Sequence, residues 1–130
     1  MSPRYLLDTN ALISLFTPDR LLLRFVQAGA ASEFATSAVV IHELYFGAYN
    51  SARIDRNVAE FDKLAFPALH FDRADAVEAG RVRAELKRAG TPIGILDTLI
   101  AGQALARGLV VVTRNVREFR RVTGLQVQNW

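Results

Sequence analysis

The sequence predicts an α/β fold: a central, mostly parallel sheet with helices on both faces. Three observations lead there. Short apolar runs alternate with segments of helical period along most of the chain. The run LVVVT, Leu109 to Thr113, is continuously apolar up to its last residue, as a strand buried on both faces requires. Helix-starting and helix-ending residues stand at the boundaries between these segments.

Taken in order, RYLL (Arg4 to Leu7) reads as a first buried strand that ends at Asp8. Asn10 is placed to cap a helix beginning with ALISLF. Pro18 and Asp19 interrupt it and start a second helix, LLLRFVQAG, which Gly29 ends. EFAT, Glu33 to Thr36, is the second strand, and Ser37 caps the apolar helix AVVIHELYFGAY. Ile54, Val58, Phe61 and Ala65 mark a helix that stops before Pro67, and ALHF, Ala68 to Phe71, is the third strand.

Asp72 then caps a helix from Arg73 to Ala89, with Val82 and Leu86 inward and its charges elsewhere; Gly90 and Pro92 end it. The stretch Ile93 to Gly108, IGILDTLIAGQALARG, is the next helix, with Leu96, Leu99, Ile100, Gln103 and Ala104 at helical spacing. After the LVVVT strand comes a helical turn from Asn115 to Val122, and LQVQNW at the end suits an edge strand.

Length and composition set the outer limits. The 130 residues fit a single domain, 1–130, with enough apolar content to build a core. No apolar run approaches the roughly 18 residues that span a bilayer. The start, MSPRYLLDTN, lacks the apolar core and cleavage site of a signal peptide. With no cysteine, neither a disulfide framework nor a thiolate metal site is available. A cytoplasmic protein is the expectation. The net charge of +3 is carried almost wholly by arginine, since only Lys63 and Lys87 are lysines. Arg114, Arg117, Arg120 and Arg121 cluster around Glu118 near the C-terminus.

Three acids occupy unlikely surroundings. Asp97 lies in the first turn of its helix, with Ile93, Gly94, Ile100 and Ala101 as neighbours on its face. Glu43 is flanked by Val39, Val40, Phe46 and Gly47 in a helix apolar almost all round. Asp8 follows a buried strand, at the end of a parallel sheet where chemistry gathers. Each has a bland reading: a helix-dipole partner for Asp97, a rim position for Glu43, a loop hydrogen bond for Asp8. Together they supply three hard oxygen donors with no cysteine partner, and His42 and His70 have no zinc-like spacing. Such a set selects Mg2+ or Mn2+. Divalent ions in an acidic pocket near arginines point to phosphodiester chemistry.

The pieces LLDTNALI, SAVVIHELYFGA, PIGILDTLIAGQALARG and LVVVTRNVREFRRVTGLQVQNW, in this order, resemble PIN-domain ribonucleases, specifically the VapC-type toxins of bacterial toxin–antitoxin pairs. Only the segment from about Ser51 to Gly90 carries no matching motif. The resemblance implies a three-layer α/β/α fold with four to five strands and acids meeting at one end of the sheet around Mg2+ or Mn2+. Asp8 and Asp97 would be the primary ligands, with Glu43 completing the cluster directly or through water. The family usually adds a polar or acidic group after the LVVVT-like strand. Here Asn115 stands there, with Glu118 three residues on, so either can complete the site. Glu118 has the alternative of pairing with Arg114 or Arg121 on the surface.

The implied activity is metal-assisted hydrolysis of RNA, with tRNA or ribosomal RNA as substrate. Arg114, Arg117, Arg120 or Arg121 would guide the backbone, and Thr9 and Thr113 would hydrogen-bond the acids. The resemblance also implies a homodimer and a small cognate antitoxin. Leu21, Leu22, Phe25, Val26, Tyr45, Phe46 and Tyr49 exceed what one helix face buries, which is compatible with both. Other classes fail on named residues. A haloacid-dehalogenase-type phosphatase needs a second aspartate where Asn10 stands, and a receiver domain needs a late lysine where none follows Lys87. The remaining alternative is a PIN-like RNA- or protein-binding domain of weak activity, favoured only by Asn115.

Overall fold

A computed structural model describes residues 3–17 and 20–130. Five strands, β1 (Tyr5–Leu7), β2 (Phe34–Ser37), β3 (Ala68–Leu69), β4 (Val110–Val112) and β5 (Val127–Gln128), form one sheet in the order β3-β2-β1-β4-β5. Every neighbouring pair is parallel. The helices among the described residues are α1 (Thr9–Leu15), α2 (Arg20–Ala28), α3 (Ala38–Tyr49), α4 (Ile54–Phe61), α5 (Arg73–Arg88), α6 (Ile95–Arg107) and α7 (Val116–Phe119). A single 3-10 turn, Ala31–Glu33, leads into β2.

The strand order explains the layering. From β1 to β3 the chain steps in one direction across the sheet; between β3 and β4 it jumps back past β1 and then continues the other way. Right-handed crossovers therefore put α1 to α4 over one face and α5 to α7 over the other. Contacts agree: α1 touches α2 and α3, α3 touches α4, and α5 packs along α6. β1 and β4 are neighbours at the point where the direction reverses, so their carboxyl ends border the crevice in which such folds bind ligands.

The core comes from the expected apolar positions. Leu6, Leu7, Val111 and Val112 on the central strands are fully buried, with Leu12, Leu22, Val40, Ile100 and Phe119 packed from the helices. Each such side chain contributes roughly 1.5–3 kcal/mol by leaving water. Gly102 sits where α6 meets α5, and a Cβ there would overlap the Ala79 backbone. Gly108 ends α6 with φ 65°, a conformation in which its lack of a Cβ matters.

Several boundaries differ from the sequence expectations. The cap of α1 is Asp8, whose Oδ1 accepts from Ala11 N at 2.9 Å; Asn10 lies within the helix and is exposed. An aspartate directly after a strand reaches the free amides first, so the helix starts two residues earlier than Asn10 would allow. The third strand keeps only Ala68–Leu69, because an edge strand pairs on one side alone. α4 stops at Phe61, short of Ala65, and α6 starts at Ile95. The expected break at Pro18 and Asp19 lies outside the described residues.

The charges of α5 are not all outward. Asp75 is 1% exposed. It shares a reciprocal capping box with Asp72 at the start of the helix. Its two oxygens accept from Arg107 Nε at 3.2 Å and Nη2 at 3.0 Å, and Gln103 Nε2 donates to Oδ2 at 3.1 Å. Arg107 and Gln103 also both donate to the His70 carbonyl, tying β3 to the end of α6. Burial alone would raise the Asp75 carboxyl, but the Arg107 guanidinium, with help from the Asp72 amide and Gln103, holds it below the ordinary carboxylate value. A carboxyl lowered by folding stabilises the protein above its unfolded pKa and loses that effect as pH falls through the folded value. Asp75→Asn is therefore expected to cost about 2–3 kcal/mol at pH 7. In urea unfolding, the gap from the parent should shrink only below pH 4; a variant as stable as the parent at pH 7 would refute the role given to this contact.

Candidate active site

The carboxyl ends of β1 and β4 present Asp8 and Thr113, respectively, directly after the last strand residues. α3 follows β2 and carries Glu43 in its second turn, while α6 carries Asp97 in its first. α3 and α6 touch, although their crossovers belong to opposite layers. That contact at the strand ends brings the acids of four separate segments together.

Hydrogen bonds fix them from the side. Thr9 Oγ1 donates to Glu43 Oε1 at 2.8 Å. Thr113 hydrogen-bonds Asp8 through its side chain, while its Oγ1 accepts from Asn115 N at 2.8 Å. Asn115 Nδ2 donates to Glu118 Oε2 at 2.9 Å and, more loosely, to Asp97 Oδ2 at 3.4 Å. An amide oxygen in that place would face two carboxylates, so the nitrogen has to point there. The Asn115 amide thus links Asp97 to Glu118. Glu118, half-buried on α7, joins the acids instead of pairing with Arg121, whose Nη1 donates to the Pro92 carbonyl at 3.0 Å.

Electrostatics follow from this crowding. Burial, opposed by Thr113 and the Ala11 amide and assisted by repulsion from Asp97 and Glu43, raises the Asp8 carboxyl to about 6. Asp97 is also raised to about 6, first by burial and then by Glu43 and Glu118, against the hydrogen bond from Asn115. The charges that raise Asp97 are two carboxylates, Glu43 and Glu118. The notch itself is a shallow hollow of about 290 Å³ lined by Glu43, Gly94, Ile95, Leu96 and Asp97. A Cβ on Gly94 would only reach van der Waals contact with Asp97 Oδ2, and one on Gly47 would meet nothing, so the mouth is open.

Hard oxygen donors of one sign gathered in one place suit a small divalent ion. As the side chains lie, no group of three His, Cys, Asp or Glu among the described residues is already set to hold a metal. Ligation then needs rotation of the half-buried Glu43 or Asp97 about Asp8, which the helix α1 cap keeps in place.

The basic residues named from sequence are arranged differently from the acids. Arg114 lies with its guanidinium 4.8 Å from the centre of the Trp130 ring, and Arg117 and Arg120 are exposed on or next to α7. Arg121 reaches Pro92 rather than the notch. What sequence reading missed is the Asp75–Gln103–Arg107 network; the D-x-x-D spacing of a capping box was the available signal.

Two carboxyls raised by folding make the metal-free protein less stable as pH climbs from their unfolded value near 4 through 6, because the folded state then has to give up protons it holds more tightly. In EDTA, Asp97→Asn is expected to be more stable than the parent at pH 7.5, by about 1 kcal/mol after allowance for partial exposure. That advantage should vanish near pH 4. A melting temperature lower than the parent's at pH 7.5 would contradict the strain assigned to this cluster.

Comparison with known proteins supplies the context. The family model described as PIN domain matches residues 5–125. A Salmonella typhimurium protein named tRNA(fMet)-specific endonuclease VapC is 38% identical over 131 residues, covering 98% of both chains. A Shigella flexneri protein of the same name is 40% identical over 134 residues, again with 98% of each covered. The solved structure of DNA-bound VapBC from Salmonella typhimurium superposes with a TM-score of 0.89 at 37% identity, over 98% of each chain. With the motifs and the parallel sheet already in hand, these matches establish that the chain belongs to the PIN-domain family, alongside its VapC ribonucleases.

Proposed function

We propose that this chain is a divalent-metal-dependent endoribonuclease that acts as the toxin of a toxin–antitoxin pair. The observation that carries the reading is the convergence of Asp8, Glu43, Asp97 and Glu118 at the strand ends, where Asp97 and Glu43 repel the charge on Asp8, and Glu43 and Glu118 that on Asp97. Asp8 and Asp97 would hold Mg2+ or Mn2+, with Glu43 as third ligand. When bound, such an ion polarises the phosphate and lowers the pKa of a water. Asp8 stays oriented by the Ala11 amide and Thr113. Glu43 has Oε1 engaged by Thr9, which leaves Oε2 to ligate or to receive the proton of the attacking water. Asn115 joins Asp97 and Glu118 by donating to both through one amide group. No side chain need act as a covalent nucleophile.

The relatives named for tRNA(fMet) cleavage support a structured RNA, with tRNA as the first substrate class to test and ribosomal RNA the second. We further place the protein in the cytoplasm, in keeping with the absence, among the described residues, of any helix long and apolar enough to cross a membrane. Exposed Ile13, Phe16 and Leu23 on or beside α1 and α2 provide apolar surface for an antitoxin, and Phe46 and Tyr49 on α3, 64% and 62% exposed, for a second copy of the chain. Leu22 is not part of such a surface, since it is fully buried, while Phe25 and Val26 pack against the core. A binding domain without turnover is favoured only by Asn115, and the Glu118 carboxylate hydrogen-bonded to it weighs against that reading.

Purified protein free of antitoxin, incubated with tRNA, is expected to cleave in Mg2+ or Mn2+ and to stop in EDTA. Asp8→Asn and Asp97→Asn should each lose about 100-fold or more in rate. Asn115→Ala, which removes only the link between two acids, should lose about 10- to 100-fold. Cleavage unchanged by EDTA, or shared equally by the parent and both aspartate variants, would overturn the proposal.

A further inference from the structure

Next to the acid notch lies a second cleft, of about 320 Å³, between the last turns of α5 and the start of α6. Ile95 lines both hollows, so they share a wall. The floor is apolar, built by Leu86, Pro92 and Ile93, and Ile95 is 50% exposed. Its rim is basic: Arg83 and Lys87, four residues apart on one face of α5, both line it and are exposed. Neither forms an ion pair among the described residues, whereas Arg81 on the same helix is bound by Glu78 and Glu85. Arg121 adds a third cation at the edge, through its hydrogen bond to the Pro92 carbonyl.

Uncompensated cations beside a cluster of acids serve opposite halves of one ligand. A polyphosphate chain is repelled by the acids except where an ion bridges, and has to be held by cations nearby. An apolar floor under a basic rim suits the face of an unstacked base with its phosphate at the edge. The volume lies in the range of about 300–1,000 Å³ typical of small-molecule sites. We infer that this cleft is a nucleotide subsite: it receives the RNA nucleotide flanking the cleaved bond, with Arg83 and Lys87 on its phosphates. The inference rests on the ribonuclease reading above and adds the position of the substrate relative to the acids.

The test compares the parent with Arg83→Ala/Lys87→Ala, using Arg81→Ala as a control cation from the same helix. Cleavage of tRNA in Mg2+ and, separately, anisotropy of a labelled single-stranded RNA in EDTA are followed at several salt concentrations. The double variant is expected to melt like the parent. Its KM should rise about tenfold with kcat within about twofold, and its salt slope should fall by about 1.4 for two lost phosphate contacts. Arg81→Ala should behave as the parent. Failure of the parent to cleave any RNA would defeat the ribonuclease reading, and the EDTA binding data would still judge the cleft. Equal KM, RNA affinity and salt slope in parent and double variant would overturn the subsite. So would a double variant changed only in antitoxin binding or oligomeric state, which would mark the cleft as a protein interface.

Discussion

The constraint on which this structure turns is repulsion among carboxylates held at one end of a parallel sheet. Like charges at short range, partly out of water, cost several kcal/mol unless something compensates. Here the protein supplies hydrogen bonds: Thr9 for Glu43, Thr113 and an amide for Asp8, Asn115 for Asp97 and Glu118. The rest of the fold withstands this local penalty. β1, paired with β2 and β4 on its two sides, carries Asp8 on a fully buried strand end, and α6 is pressed so closely on α5 that Gly102 admits no side chain. A rigid frame of this kind stores unfavourable electrostatics that a divalent ion can relieve.

Charge is sorted across the molecule in a way that fits this account. At the strand ends gather the acids Asp8, Glu43, Asp97 and Glu118. At the far end of α6, the reverse problem is solved internally, as Arg107 is neutralised by Asp75 and Asp72. On α5 one arginine, Arg81, is neutralised by its neighbours, while Arg83 and Lys87 face a cleft that adjoins the acids. The same helix therefore serves stability on one face and substrate contact on another.

The architecture was legible in the sequence because parallel strands buried on two faces are written as uninterrupted apolar runs; LVVVT could be little else. The acids were legible for the opposite reason: a carboxylate with apolar neighbours on its helix face, as for Glu43 and Asp97, breaks the pattern the surrounding residues set. Boundaries were less so. Asp8 and Asn10 are both good caps, and only the position of β1 decides between them. The role of Asn115 depends on which way an amide points, which follows from where Asp97 and Glu118 meet in space. The burial of Asp75 depends on Arg107, thirty-two residues away in the chain, and no local pattern encodes that pairing.

The central claim is that these acids are arranged for one cation site. Anomalous diffraction from crystals of the antitoxin-free protein grown with Mn2+ addresses it most directly. A strong peak joined to oxygens of both Asp8 and Asp97, absent from crystals of Asp97→Asn, is the predicted result. No peak at the strand ends at millimolar Mn2+, or peaks only among surface acids elsewhere, would contradict the account.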